Sequence, residues 1–382
     1  MRRHAASPLC RAFSPAATSC RKFADVGFSR GLNSAESNTY GSNVERRIIG
    51  AKPGPGRPAP AARPPAPSVT HVRIDEGSEG QRLDNFLVKL LKGVPKTHVY
   101  RLIRSGEVRV NKGRASADTR LALGDDVRVP PVRRSEPDDA RAAAVPAREF
   151  PVLMEDEHLI ALDKPAGVAV HGGSGVSFGV IEQLRRARPQ AKFLELVHRL
   201  DKETSGLLLV AKRRSALTSL QDQLRQRETG KTYAALVAGA WPEGLKVIDV
   251  PLHKFLTAEG ERRVRSVDAD HADGRRSITL VRVARRFEGY TLLDVTIKTG
   301  RTHQIRVHLA DAGHPIVGDD KYGDFALNKA LARGTADGAG RFERMFLHAR
   351  RLRFTHPARG EVIELEAPLP GECEDFLATL RP

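Results

Sequence analysis

Leu196-Val197-His198-Arg199-Leu200-Asp201-Lys202-Glu203-Thr204-Ser205-Gly206-Leu207-Leu208-Leu209-Val210 runs from a charged segment straight into an apolar one. Leu207 to Ala211 is unbroken in its hydrophobicity and follows a glycine, which reads as a buried strand. The residues before it read as a loop. A carboxylate in such a loop is backed by a rigid element, as a nucleophile or a base must be. Taken alone, the pattern favours a plainer role for Asp201, bonding the backbone of its own turn near Thr204 and Ser205.

Outward from this stretch, further strands are predicted at Leu159 to Asp163, Tyr233 to Val237, Ser277 to Ala284, Thr291 to Lys298 and Val362 to Glu366. Helices are predicted at Gly179 to Ala187, Arg214 to Arg227, Thr302 to Ala312 and Glu372 to Leu380. Strands outnumber helices and do not alternate with them, so a doubly wound parallel sheet is excluded. Residues 150–382 read as one α+β unit.

A smaller module precedes it at 71–135. Leu83, Phe86, Leu87, Leu90 and Leu91 form a helical stripe that Gly93 ends. Pro95 opens a second helix carrying Val99, Leu102 and Ile103, which Gly106 closes. Val108 and Val110 lead to a turn at Asn111-Lys112-Gly113, and Asp126 to Val129 reads as a last strand. Residues 136–149 read as a linker. Residues 1–70 lack apolar periodicity and include a Pro/Ala/Gly run from Lys52 to Pro67, so disorder is expected there.

The 382 residues carry a net charge of +17. Residues 1–70 hold +8 of it and residues 80–130 hold +6. A pI near 10.2 points to a polyanionic partner. No run of about 18 apolar residues exists, which excludes a membrane-spanning helix. Cys10, Cys20 and Cys373 are too scattered for a disulfide framework or a cysteine zinc site, which suits a reducing compartment. The second predicted helix and the turn after it present Lys96, Arg101, Arg104, Arg109 and Lys112 away from the apolar stripe, as a phosphate-backbone contact requires.

Two resemblances sharpen these readings. Gln81-Arg82-Leu83-Asp84-Asn85-Phe86-Leu87, Ser105-Gly106-Glu107-Val108-Arg109-Val110-Asn111 and Gly124-Asp125-Asp126-Val127 together resemble an S4 RNA-binding domain. His198 to Val210 is similar to the central motif of the ribosomal large-subunit pseudouridine synthases. So are Lys231-Thr232-Tyr233, Thr299-Gly300-Arg301-Thr302-His303-Gln304-Ile305-Arg306-Val307-His308, Gly313 to Gly323, and Phe346-Leu347-His348-Ala349 with Phe354-Thr355-His356-Pro357. His171-Gly172-Gly173-Ser174-Gly175, Phe193 to Leu196 and Lys92 to Lys96 look like the C-type branch of that family.

The resemblance implies a mixed, mainly antiparallel catalytic sheet behind an S4-like domain, and isomerisation of uridines in large-subunit ribosomal RNA. That RNA is free or in early assembly particles. Asp201 becomes the essential carboxylate, which reverses the plainer reading. Arg306 stabilises its ionised form by charge, and Tyr233 stacks on the flipped base. Arg199 fills the gap that base leaves, and Leu347 lines the uracil pocket. No metal, nucleotide or other cofactor is implied. A monomer in the bacterial cytoplasm is expected, or a mitochondrial one if the Arg- and Ser-rich start is a transit peptide. Two other classes compete. An RNA-binding assembly factor needs only the basic module. A serine hydrolase is suggested by Gly175-Val176-Ser177-Phe178-Gly179, although no strand precedes Ser177.

Overall fold

A computed structural model describes residues 68–132, 145–173, 178–258, 260–336 and 338–382. The first module is built from β1 (Thr70–Arg73), α1 (Leu83–Leu90), α2 (Lys96–Arg104), β2 (Arg109–Val110), β3 (Gly113–Arg114) and β4 (Asp126–Val129). Its strands pair antiparallel in the order β1-β4-β2-β3. The helical stripes meet as their spacing dictates: Leu83, Phe86 and Leu87 of α1 and Val99, Leu102 and Ile103 of α2 close one core with Val108, Leu121, Val127 and Val129. Asn111 and Lys112 both take positive φ, the two-residue geometry that matches the twist of a hairpin.

The larger unit comprises β5 (Val152–Glu155), β6 (Leu159–Lys164), α3 (Val180–Ala187), β7 (Glu195–Leu196), β8 (Ser205–Ala211), α4 (Arg214–Gln226), β9 (Gly230–Ala238), β10 (Val247–Asp249), β11 (Leu252–Leu256) and β12 (Arg262–Ser266). It continues through β13 (Ile278–Phe287), β14 (Tyr290–Ile297), α5 (Gln304–Asp311), α6 (Phe325–Arg333), β15 (Leu347–Thr355), β16 (Val362–Glu366) and α7 (Gly371–Thr379). The main sheet runs β10-β13-β14-β9-β15-β8-β6-β5, with β16 beside β15 and β7 beside β8. Its pairings are antiparallel except β15 with β8.

Side-chain alternation along the strands divides the core between two faces. Ile160, Leu162, Leu208 and Val210 face α3 and α5, whose Val180, Leu184, Ile305 and Leu309 are buried against them. Leu159, Ala161, Leu207 and Leu209 face the other way, onto Ala216, Leu217 and Leu220 of α4.

Three differences from the sequence reading have local causes. β15 was not anticipated because a bulge between Ala349 and Arg351 shifts its apolar parity from Leu347/Ala349 to Leu352/Phe354. The helix predicted from Thr302 starts at Gln304, since His303 adopts a left-handed conformation (φ 52°). At the end of the expected linker, the Arg148 amide donates to the Gln183 carbonyl and Glu149 accepts from Arg188. β1 likewise starts at the last residue of the expected tail, with Thr70 opposite Val129. Residues 1–67, 133–144 and 174–177 lie outside the described residues, and with them the transit-peptide reading and Ser177.

Candidate active site

The loop from Val197 to Thr204 joins β7 to β8 and is anchored at several points. The Val197 amide donates to Leu209 O at 3.0 Å. The Leu209 amide donates to His198 Nε2 at 3.2 Å, and burial pushes that imidazole down to about 4, so it stays a neutral acceptor. Lys164, with no exposed surface, ends β6 and gives its Nζ protons to the carbonyls of Pro165, Val168 and Lys202. Gly206 permits the rest. Its φ is 105°, and a Cβ there would sit 2.3 Å from Ala349 O, at the point where β8 meets β15.

Within this loop the turn bond is made by the Asp201 backbone: its carbonyl accepts from the Thr204 amide at 3.2 Å. The side chain is therefore available. Its Oδ2 lies 3.6 Å from Arg306 Nη1 and 3.9 Å from His303 Nε2. Arg306 projects from α5 and is 3% exposed. Nε and Nη2 each donate to Asp319 at 2.7 Å, and Nη2 also donates to Asp320 at 3.1 Å. Burial works against the Arg306 charge, but the Asp319 bonds and the charges of Asp319, Asp201 and Asp320 outweigh it. The carbonyl of Arg344 presses the other side of this turn, so close to Gly318 (φ 77°) that a Cβ would lie 1.9 Å from it. The guanidinium is thus held in place before any substrate arrives.

Tyr233 lies on β9 between β14 and β15, 8% exposed, and burial together with the charge of Asp201 keeps its phenol protonated. Leu347 opens β15 opposite Ala235. Arg199, Asp201, Tyr233, Arg306 and Leu347 all line one cavity of about 680 Å³, within the size range of small-molecule and cofactor pockets. Sequence reading missed the rest of its charge. Arg225, Arg227, Lys231, Lys298 and Arg301 line the same cavity. Each is a lone cation in its own segment, so no run of sequence betrays them. His303 was also passed over, and Asp319 and Tyr322 sit unremarked inside a motif already quoted.

Lys96, Arg101, Arg104, Arg109 and Lys112 are exposed and lie in the first module, apart from the cavity. Among the described residues none of the five pairs with a carboxylate; Arg101 reaches His98 and Arg109 reaches the Lys112 carbonyl. His308 is a buried polar contact, bonded to Thr279 Oγ1 and the Val250 carbonyl. No helix among the described residues is long and apolar enough to cross a membrane.

Comparison with known proteins agrees with this geometry. Residues 158–311 match the family model of RNA pseudouridylate synthase, and residues 81–127 match the S4 domain. A ribosomal large subunit pseudouridine synthase C of Yersinia pestis is 50% identical over 319 residues, covering 82% of this chain and 97% of that protein. The enzyme of the same name from Escherichia coli (strain K12) is 50% identical over 319 residues, covering 82% and 98%. A solved structure, human RNA pseudouridylate synthase domain containing 4, is 25% identical over 64% of this chain and 97% of that one, with a TM-score of 0.49.

Proposed function

The chain belongs to the RNA pseudouridylate synthase family, and on that premise we propose that it isomerises uridines of large-subunit ribosomal RNA, with Asp201 as the catalytic carboxylate. Pseudouridine formation breaks the bond between uracil N1 and ribose C1′. The uracil turns, its C5 bonds to C1′, and the C5 proton is lost. No atoms are gained from elsewhere. An anionic carboxylate beside C1′ stabilises the oxocarbenium character that develops there.

The observation that carries this reading is Arg306 Nη1 at 3.6 Å from Asp201 Oδ2, in a cavity that also holds Tyr233 and Leu347. The guanidinium favours the charged carboxylate. Tyr233 offers a ring for the flipped base to stack on, a contact of roughly 1–3 kcal/mol. Leu347 supplies an apolar wall. Arg199, exposed at the rim, is suited to enter the duplex where the base has left. Lys96, Arg101, Arg104, Arg109 and Lys112 bind flanking phosphates. The enzyme acts as a cytoplasmic monomer on free RNA or early assembly particles, and 1–70 acts as a tail outside the two domains.

The test uses ribosomal RNA labelled with tritium at uracil C5. The wild-type chain releases tritium and Asp201→Ala does not. Equal release by both removes Asp201 from the chemistry.

A further inference from the structure

The proposal concerns how the catalytic carboxylate is aimed, and it rests on the pseudouridine synthase reading. His303 has an unusual backbone. Of the four described non-glycine residues with positive φ, Asn111 and Lys112 form a hairpin turn and Arg227 ends α4. His303 instead sits at the start of a helix, where an extended conformation is the rule. The surroundings hold it there. Gln304 bonds Thr279 Oγ1 and the Ile278 carbonyl through Nε2, and accepts from Thr299 Oγ1 and the Arg301 amide through Oε1. These bonds tie the first turn of α5 to β13 and leave His303 facing the cavity.

The tautomer follows from the donors. The Val264 amide donates to Tyr322 Oη at 3.1 Å. Tyr322 Oη lies 2.8 Å from His303 Nδ1, and with its lone pair already engaged it gives its proton to that nitrogen. Nδ1 is then an acceptor, and the proton of the neutral ring is on Nε2. Burial lowers the imidazole's pKa, which favours this neutral form. Nε2–H is 3.9 Å from Asp201 Oδ2 and Arg306 Nη1 is 3.6 Å from the same oxygen. Among the described residues, no contact of that kind falls on Oδ1.

We propose that His303 is a positioning residue: its Nε2–H and the Arg306 guanidinium hold Oδ2 of Asp201 from two sides and leave Oδ1 as the oxygen that meets the ribose. Both distances exceed a hydrogen bond, as catalytic contacts often do before substrate closes them. Tyr322 acts through His303. It fixes which ring nitrogen carries the proton, and its ring also lies 5.2 Å beneath the Arg306 guanidinium.

The experiment measures kcat and KM for tritium release from a ribosomal RNA fragment. His303→Ala lowers kcat by about 30- to 100-fold, the cost of misaiming a reacting group by about 1 Å, with KM within about twofold. His303→Gln, which keeps an N–H near the Nε2 position, recovers at least about tenfold of that loss. Tyr322→Phe keeps the ring and lowers kcat by about fivefold, and adding it to His303→Ala costs nothing further. Wild-type kcat in His303→Ala, a loss confined to KM, or additive losses in the double variant would each overturn the proposal. Should His303→Ala fail to fold, the cycle of His303→Gln with Tyr322→Phe decides in the same way. A wild-type chain that releases no tritium overturns the underlying reading instead.

Discussion

Asp319→Asn tests whether the site is pre-assembled by its buried charges. Asp319 is 1% exposed and receives both Nε and Nη2 of Arg306 at 2.7 Å, besides the amides of Lys321 and Tyr322. The substitution keeps the shape, removes the charge, and turns one acceptor oxygen into a donor facing a cation. Two unit charges about 4 Å apart interact by about 4 kcal/mol at an effective dielectric of 20. Breaking a buried pair by altering one partner costs about 3–5 kcal/mol, because the other charge stays buried. The two figures agree, and the retained amide bonds argue for the lower end, about 3 kcal/mol, or roughly 6–12 °C in Tm. Activity falls as well. Arg306 retains Asp320 and Asp201 as partners and is drawn towards Asp201, and a displacement of about 1 Å costs about 100-fold in rate.

The assay is urea unfolding of wild type and variant as a function of pH. Burial raises the Asp319 carboxyl, but the Arg306 bonds outweigh it and hold it below the ordinary carboxylate range. A carboxyl lowered in the folded state contributes its stability above the unfolded value, about 3.9, and loses it as pH falls through the folded value. The difference between the two proteins is therefore full at pH 7 and shrinks below about pH 4. A difference under about 0.5 kcal/mol at pH 7, or one that does not change in acid, refutes the argument.

Three further predictions concern separate parts of the molecule. Tyr233→Leu lowers kcat/KM by about 5- to 150-fold, the equivalent of roughly 1–3 kcal/mol of lost stacking, while Tyr233→Phe stays within about fivefold of wild type in the tritium assay. Replacing Lys96, Arg101 and Arg104 together by glutamine reduces the slope of log binding constant against log salt by about 2–3, measured by filter binding, because three phosphate contacts are lost. Gly206→Ala destabilises by at least about 3 kcal/mol in urea, since the new Cβ falls 2.3 Å from Ala349 O at a φ of 105°.

Legibility varied with how local the cause was. The helix Leu83–Leu90 and the strand Asp126–Val129 follow from spacing and flanking turn residues alone. β15 did not, because its bulge changes the parity that sequence reading relies on. Asp201 and Arg306 were reachable because each sits in a recognisable motif. Even so, the bare loop pattern pointed to a turn Asp, and that was half right: the backbone carbonyl takes the turn bond and frees the carboxylate. His303 read as one of two histidines on a helix. Its real position depends on a left-handed residue that no propensity announces.

The sequence by itself determined the classes of element, the RNA-docking charge on α2 and its hairpin, and the identity of the carboxylate. Those follow from periodicity, composition and contiguous motifs, which the chain carries locally. The tertiary structure decided which charges meet. Arg225, Arg227, Lys231, Lys298 and Arg301 come from α4, β9 and the loop before α5 to line one cavity with Asp201. Asp319 and Tyr322 reach Arg306 and His303 across 13 and 19 residues. Such meetings are fixed by the strand order and by the bulge and close approach at β8 and β15, and Coulomb energy depends on that distance and not on separation along the chain.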